Sequence, residues 1–206
     1  MNRQLVLVFG GLLVLYAGAR QNARAQNLVV NPGFDHTVAG WSSPSPTELS
    51  WDGTRDAGGN PQSGSAQTQN FGGVQITCKT ELLQCISVLD PAPTYGFGGE
   101  IFIPPGQLGP NNQPVPGSAY VQIHWFTLPA CAYDALNPPV GPISGPFVTA
   151  TGAWIENSGV SNQPPGALSA LLEGVSCVSL GAGPLLVNFD DMFFQSTTPM
   201  LAPGGR

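Results

Sequence analysis

The sequence predicts an all-β domain folded as a β-sandwich, and three observations carry that expectation. Gly 27 and Pro 21 stand among 206 residues with a single lysine, so helix breakers recur too often for a long amphipathic helix. Roughly nine short strand-forming runs, separated by turn-rich stretches, give the strand count of two packed sheets. Disorder is the other outcome such composition suggests, but 42% hydrophobic residues, with ten Phe and four Trp, can bury a core.

The first 25 residues are set aside from the fold. Arg3 supplies a positive start, residues 5–19 form an apolar run, and Ala23-Arg24-Ala25 gives a small-x-small cleavage signal, so 1–25 reads as a secretory signal peptide. The apolar run is interrupted by Gly10 and Gly11 and is shorter than the ~20 residues a membrane-spanning helix needs. The expected product is soluble and exported, with the periplasm or cell surface as possible destinations. It comprises one domain over 26–197 and a flexible tail over 198–206, and no membrane insertion is expected after cleavage.

Cleavage removes Arg3, Arg20 and Arg24 but no acid. Arg55, Lys79 and Arg206 then face 12 carboxylates, a net charge of −9. Such a field repels polyanions, and no Lys/Arg cluster is available to neutralise phosphates, which excludes nucleic acid as a partner. The same balance disfavours anionic polysaccharides.

Strand candidates run in order over 27–30, 47–51, 73–77, 82–89, 94–103, 118–128, 147–155, 168–180 and 185–195. Residues 52–65 read as a loop of Gly, Asp, Asn, Ser and Pro, and the Pro-rich stretches 104–116 and 137–146 read as further loops. The clearest alternation places Ala119, Val121, Ile123 and Trp125 on one face and Tyr120, Gln122, His124 and Phe126 on the other. The same period sends Tyr95, Phe97, Ile101 and Ile103 inward and Glu100 and Phe102 outward.

All four cysteines, Cys78, Cys85, Cys131 and Cys177, lie in the exported part, where disulfides are favoured. Zinc is disfavoured because no pair has CxxC spacing and His36 and His124 stand apart from them. Four cysteines allow three pairings, and spacing alone does not choose among them.

The opening Asn27-Leu-Val-Val-Asn-Pro-Gly-Phe-Asp35, then Gly40-Trp41, resembles the start of carbohydrate-binding modules of the CenC-like type, grouped with families 4, 9 and 22. Val187-Asn-Phe-Asp-Asp-Met-Phe193 resembles their last strand. Between these ends, Ser63-Gly64-Ser65, Gln84, Thr94-Tyr95, Trp154 and Pro165-Gly166-Ala167 match in order, so the resemblance spans nearly all of 27–195.

The resemblance implies a galactose-binding-like jelly roll with a structural calcium held by Asp35 and Asp190 where the first loop meets the last strand. Oxygen ligands of this kind suit Ca²⁺, and the loop over 56–64 could add carbonyls. A narrower group of exported bacterial proteins shares Trp51, the Asp-rich loop, Gln84-Cys85 and Trp125-Phe126 leading to Cys131. That resemblance implies Cys85–Cys131 and, by subtraction, Cys78–Cys177, with Cys78–Cys85 across a hairpin as the competitor.

Sugars are held by aromatic faces and by side-chain amides, carboxylates and imidazoles that bond hydroxyls. Tyr120, Gln122, His124, Glu100 and Phe102 supply that mixture as a candidate groove for a polysaccharide or oligosaccharide. Trp41 and Trp154 read as packing residues, whereas Trp51 and Tyr133 could line a rim. No GxSxG, HExxH or GxxxxGK[ST] motif is present, so a non-catalytic monomeric binding module is expected. The alternative is a freestanding structural or protein-binding jelly roll with no glycan ligand.

Overall fold

The computed structural model describes residues 25–60, 62–72, 77–88, 94–109, 112–179 and 182–197. Nearly all of the expected leader and the whole expected tail lie outside these residues, as does most of the predicted strand 73–77.

Nine strands form two antiparallel sheets. They are β1 (Leu49–Asp52), β2 (Ser65–Asn70), β3 (Thr77–Ser87), β4 (Thr94–Phe102), β5 (Gly117–Phe126), β6 (Val140–Ser144), β7 (Trp154–Asn162), β8 (Ser169–Val178) and β9 (Leu185–Ser196). The five-stranded sheet has the order β1-β2-β9-β4-β7, and the four-stranded sheet the order β3-β8-β5-β6. The only helical pieces among the described residues are two three-residue 3-10 turns, Pro46–Glu48 and Pro129–Cys131.

The core lies between the sheets and follows the alternation of the sequence. From β5, Ala119, Val121 and Ile123 are 0% exposed and Trp125 1%; from β4, Phe97 and Ile101 are 0% and Tyr95 1%. Tyr95 stacks on Phe194 with centroids 4.8 Å apart and meets Trp125 edge-on at 5.5 Å, joining the sheets through one aromatic knot. Since both inward rows belong to one core, the alternate residues of β4 and β5 point away from each other.

Two irregularities keep this phase. The β3–β8 register shifts between Thr80 and Leu82, so Glu81 is an extra residue and its carboxylate turns into the interior. The β4–β9 register shifts between Gly98 and Glu100, opposite Asp191, whose φ is 45°. A side chain at Gly98 would put its Cβ 2.2 Å from the carbonyl oxygen of Asn157, so the backbones here approach too closely for any other residue.

Both disulfides implied by the resemblance are formed, Cys78–Cys177 and Cys85–Cys131. Cys78 and Cys177 are direct cross-strand partners of β3 and β8. Cys85 instead ties the outer face of β3 to the 3-10 turn at Cys131.

Four expectations about elements need correction. The strand expected over 27–30 is reduced to an isolated bridge between Asn27 and Gln195. Residues 65–70, left without a strand, form β2, whose buried positions carry polar Thr68 and Asn70 and hide the hydrophobic alternation. Part of the expected loop 137–146 is β6, an edge strand disguised by Gly141-Pro142. The strand expected over 147–155 is shifted to β7, whose inward positions include Asn157 and Ser161 in place of apolar residues. Asn157 Oδ1 accepts from the Val121 amide at 2.7 Å, and Ser161 Oγ accepts from Trp125 Nε1 at 2.9 Å.

Candidate functional site

The five predicted groove residues do not share one groove. Tyr120, Gln122 and His124 project from the outer face of the four-stranded sheet, whereas Glu100 and Phe102 project from the outer face of the five-stranded sheet. The physical reason is the sandwich itself: strands whose inward rows face each other must send their alternate rows in opposite directions.

On the four-stranded sheet, cross-strand register pairs Tyr120 with Val175, Gln122 with Glu173 and His124 with Leu171. Gln122 Nε2 donates to Glu173 Oε2 at 2.5 Å, and His124 Nε2 lies 3.3 Å from the same oxygen. Ser144 of β6 extends the row, its Oγ donating to Gln122 Oε1 at 3.4 Å. Glu173 is only 7% exposed, so its carboxylate is held by these two neighbours.

Beside this network Tyr120 meets Phe147 edge-on at 4.8 Å, and Phe147 is 64% exposed. Burial, followed by the nearby Glu173 carboxylate, pushes the Tyr120 hydroxyl above its usual range, so it stays a neutral donor and acceptor. The face thus combines an exposed ring, a phenol and a pre-ordered amide–carboxylate–imidazole row. Just beyond Tyr120 on the same sheet a cavity of about 250 Å³ is lined by Pro116, Ser118, Thr149, Cys177 and Ser179.

Sequence reading missed Glu173 and Phe147. Glu173 lies in an almost wholly apolar strand, and only the β5–β8 register shows that it stands opposite Gln122. Phe147 lies outside any strand, in the segment that returns from β6 to β7.

On the five-stranded sheet, Phe102 packs against Trp154 at 5.3 Å, and the Arg55 guanidinium lies 4.8 Å from the Phe102 ring centre. Trp154, expected to pack inside, is therefore a half-buried residue of this outer face. Trp41 does pack inside, at 8% exposure against Phe34. Trp51 donates from Nε1 to the Phe34 carbonyl at 2.8 Å and remains 38% exposed, while Tyr133 is 70% exposed.

The first loop meets the last strand as the resemblance implies, through a 2.9 Å bond from the Met192 amide to the Pro32 carbonyl. Asp190 is fully buried there; its Oδ2 accepts from Ala57 N and its Oδ1 from Asp191 N, both at 2.8 Å. Burial, and then the Asp191 and Asp56 carboxylates, push Asp190 up to about 7. Asp35 is exposed on the first loop, its amide donating to Asn31 Oδ1 at 2.9 Å. Among the described residues no three His, Cys, Asp or Glu side chains gather to hold a metal ion. The Asp56 and Asp191 carboxylates act on Asp190, whereas Asp35 is not among the groups that shift it.

No protein-family model matches the chain, and no curated protein sequence matches it. Solved structures do. The C-terminal family 22 carbohydrate-binding module of Clostridium thermocellum Xyn10B aligns with 88% of this chain and 99% of its own, at 12% identity and a TM-score of 0.57. The Clostridium thermocellum Xyn10B CBM22-1–GH10 modules, complexed with xylohexaose, align at 13% identity and a TM-score of 0.54, over 84% of this chain and 29% of that one. The enzymatically active domain of bacteriophage CBA120 tailspike protein 4 aligns at 15% identity and a TM-score of 0.51, over 82% of this chain and 21% of that one. The chain thus spans less than a third of these last two proteins. At such identities the likeness defines the fold class, a β-sandwich of the kind found in carbohydrate-binding modules.

Proposed function

We propose that this is an exported, non-catalytic carbohydrate-binding protein that holds an oligosaccharide or polysaccharide on the outer face of its four-stranded sheet. The observation that carries this reading is the Gln122–Glu173–His124 row lying beside Tyr120 and the exposed Phe147 ring. Phe147 offers a surface for the C–H face of a pyranose, and the row offers donors and acceptors for its hydroxyls. Glu173 in the row disfavours uronates, so the ligand is neutral on this face.

The non-catalytic reading rests on the sequence, which holds no GxSxG, HExxH or GxxxxGK[ST] motif. Two disulfides support export, since they persist in oxidising compartments. A calcium ion at Asp190, with Asp35 contributing from the first loop, is the second part of the proposal, and the protein works as a monomer.

The test is a glycan array followed by titration of any hit with the Tyr120→Ala/His124→Ala double variant. The expected result is binding lost by about tenfold or more, with the melting temperature nearly unchanged. Full affinity in the folded double variant removes this face. Absence of any hit favours the structural or protein-binding alternative.

A further inference from the structure

The outer face of the five-stranded sheet carries two adjacent cross-strand rows that the site above does not use. One row runs Trp154, Phe102, Asn188 and Gln67 across β7, β4, β9 and β2. The next runs Glu156, Glu100 and Asp190 across β7, β4 and β9, with Asp191 beside them. Like charges directly opposite each other on paired strands destabilise a sheet.

Two further features show what the face selects. Arg55 already sits over the Phe102 ring at 4.8 Å, held by an ion pair from Nε to Asp52 Oδ2 at 3.3 Å. Asn188, 0% exposed, donates from Nδ2 to Asp52 at 3.1 Å and Ser65 at 3.0 Å, yet its Oδ1 has no hydrogen-bond partner among the described residues. The face therefore joins a cation-accepting aromatic pair, a line of carboxylates and an unmet acceptor.

We propose that this face is a second ligand site and that its ligand is a sugar chain carrying protonated amines, such as an oligomer of glucosamine. Its ammonium groups would lie along Glu100 and Glu156, and a sugar ring would lie against Trp154 and Phe102. Charge complementarity supplies the attraction, and the half-buried Gln67 amide supplies a partner for hydroxyls. The proposal stands on a different face from the neutral-glycan reading and does not depend on it.

The experiment is calorimetric titration of the protein with glucosamine hexamer, N-acetylglucosamine hexamer and hexalysine, with calcium and again with a chelator. The glucosamine hexamer is expected to bind at least tenfold more tightly than either other probe. Glu100→Gln/Glu156→Gln and, separately, Trp154→Ala should each weaken that binding about tenfold, while Tyr120→Ala/His124→Ala leaves it unchanged. Melting curves of each variant establish that it is folded. Equal binding of the acetylated hexamer, binding insensitive to the Glu100/Glu156 change, or no binding overturns the proposal. Hexalysine binding as tightly as the amino sugar reassigns the face to a basic peptide and overturns the sugar assignment.

Discussion

Glu81 is a carboxylate set into the interior at a cost. It is 1% exposed, Ser176 Oγ donates to its Oε2 at 2.6 Å, and its Oε1 has no hydrogen-bond partner among the described residues. Burial pushes its carboxyl from an ordinary 4.5 to about 7, against the opposing pull of the Ser176 and Thr68 hydroxyls. A raised carboxyl means that folding favours the protonated form. The stability Glu81 contributes is fully present below pH 4.5 and is lost as pH rises through about 7. Glu81→Gln should therefore raise unfolding free energy at pH 8 by roughly 1–3 kcal/mol and leave it nearly unchanged at pH 4, read by urea denaturation. Asp190, also pushed to about 7, supplies the pH slope that remains in this variant. An equal slope in the variant and the parent would show that Glu81 is not the titrating group.

At the same scale, Glu173 acts as the hinge of the proposed sugar face. Replacing it with Ala leaves Gln122 Nε2 and His124 Nε2 without their shared acceptor. Glu173→Ala should weaken glycan binding about as much as loss of Tyr120, whereas Glu173→Gln, which keeps an acceptor oxygen, should recover part of it. Equal affinities of the two variants would mean that the carboxylate position does not order the row.

Among the elements, the strands differ in how plainly they can be read from the chain. The inward row of β5 is legible because four apolar residues alternate with Tyr120, Gln122, His124 and Phe126 across a strand in the middle of its sheet. The polar strands β2 and β7 are not, since Thr68, Asn70, Asn157 and Ser161 face inward and meet specific partners rather than apolar surface. Face assignments within β4 and β5 are legible, but which sheet each strand joins is not. Pairing of β4 with β9 and of β5 with β8 is set by contacts far apart in sequence, and it separates Glu100 from Tyr120.

The two disulfides act at this scale as well. Cys78–Cys177 closes a separation of 99 residues and Cys85–Cys131 one of 46. Loop-closure entropy sets a ceiling of about 4–5 kcal/mol for each, and measured values fall below it. Cys78→Ser/Cys177→Ser should lower stability by roughly 2–4 kcal/mol in non-reducing buffer, read by urea denaturation. Cys85→Ser/Cys131→Ser should also free the segment around Tyr133, next to the 3-10 turn that the bond anchors. Faster proteolysis near that residue in the second variant alone would mark the difference.

For the molecule as a whole, a two-sheet sandwich leaves two broad outer faces of unlike chemistry. One presents an amide, an imidazole and a single buried carboxylate beside phenyl and phenol rings. The other presents an acidic row beside a phenyl–indole pair. With 12 acids against six Lys and Arg over the full sequence, the overall field favours neutral or cationic ligands on either face. Calcium at Asp190 would relieve the crowding of Asp56, Asp190 and Asp191. Added Ca²⁺ should then raise the melting temperature by several degrees and Asp190→Asn should abolish the shift, whereas an equal rise in the variant would place the ion elsewhere.

Binding of a neutral glycan on the outer face of the four-stranded sheet is tested by a glycan array with the parent protein and the Tyr120→Ala/His124→Ala variant side by side. Neutral-glycan hits for the parent that vanish in the folded variant are expected. Hits that persist in the variant, or a folded parent that binds no neutral glycan, would contradict it.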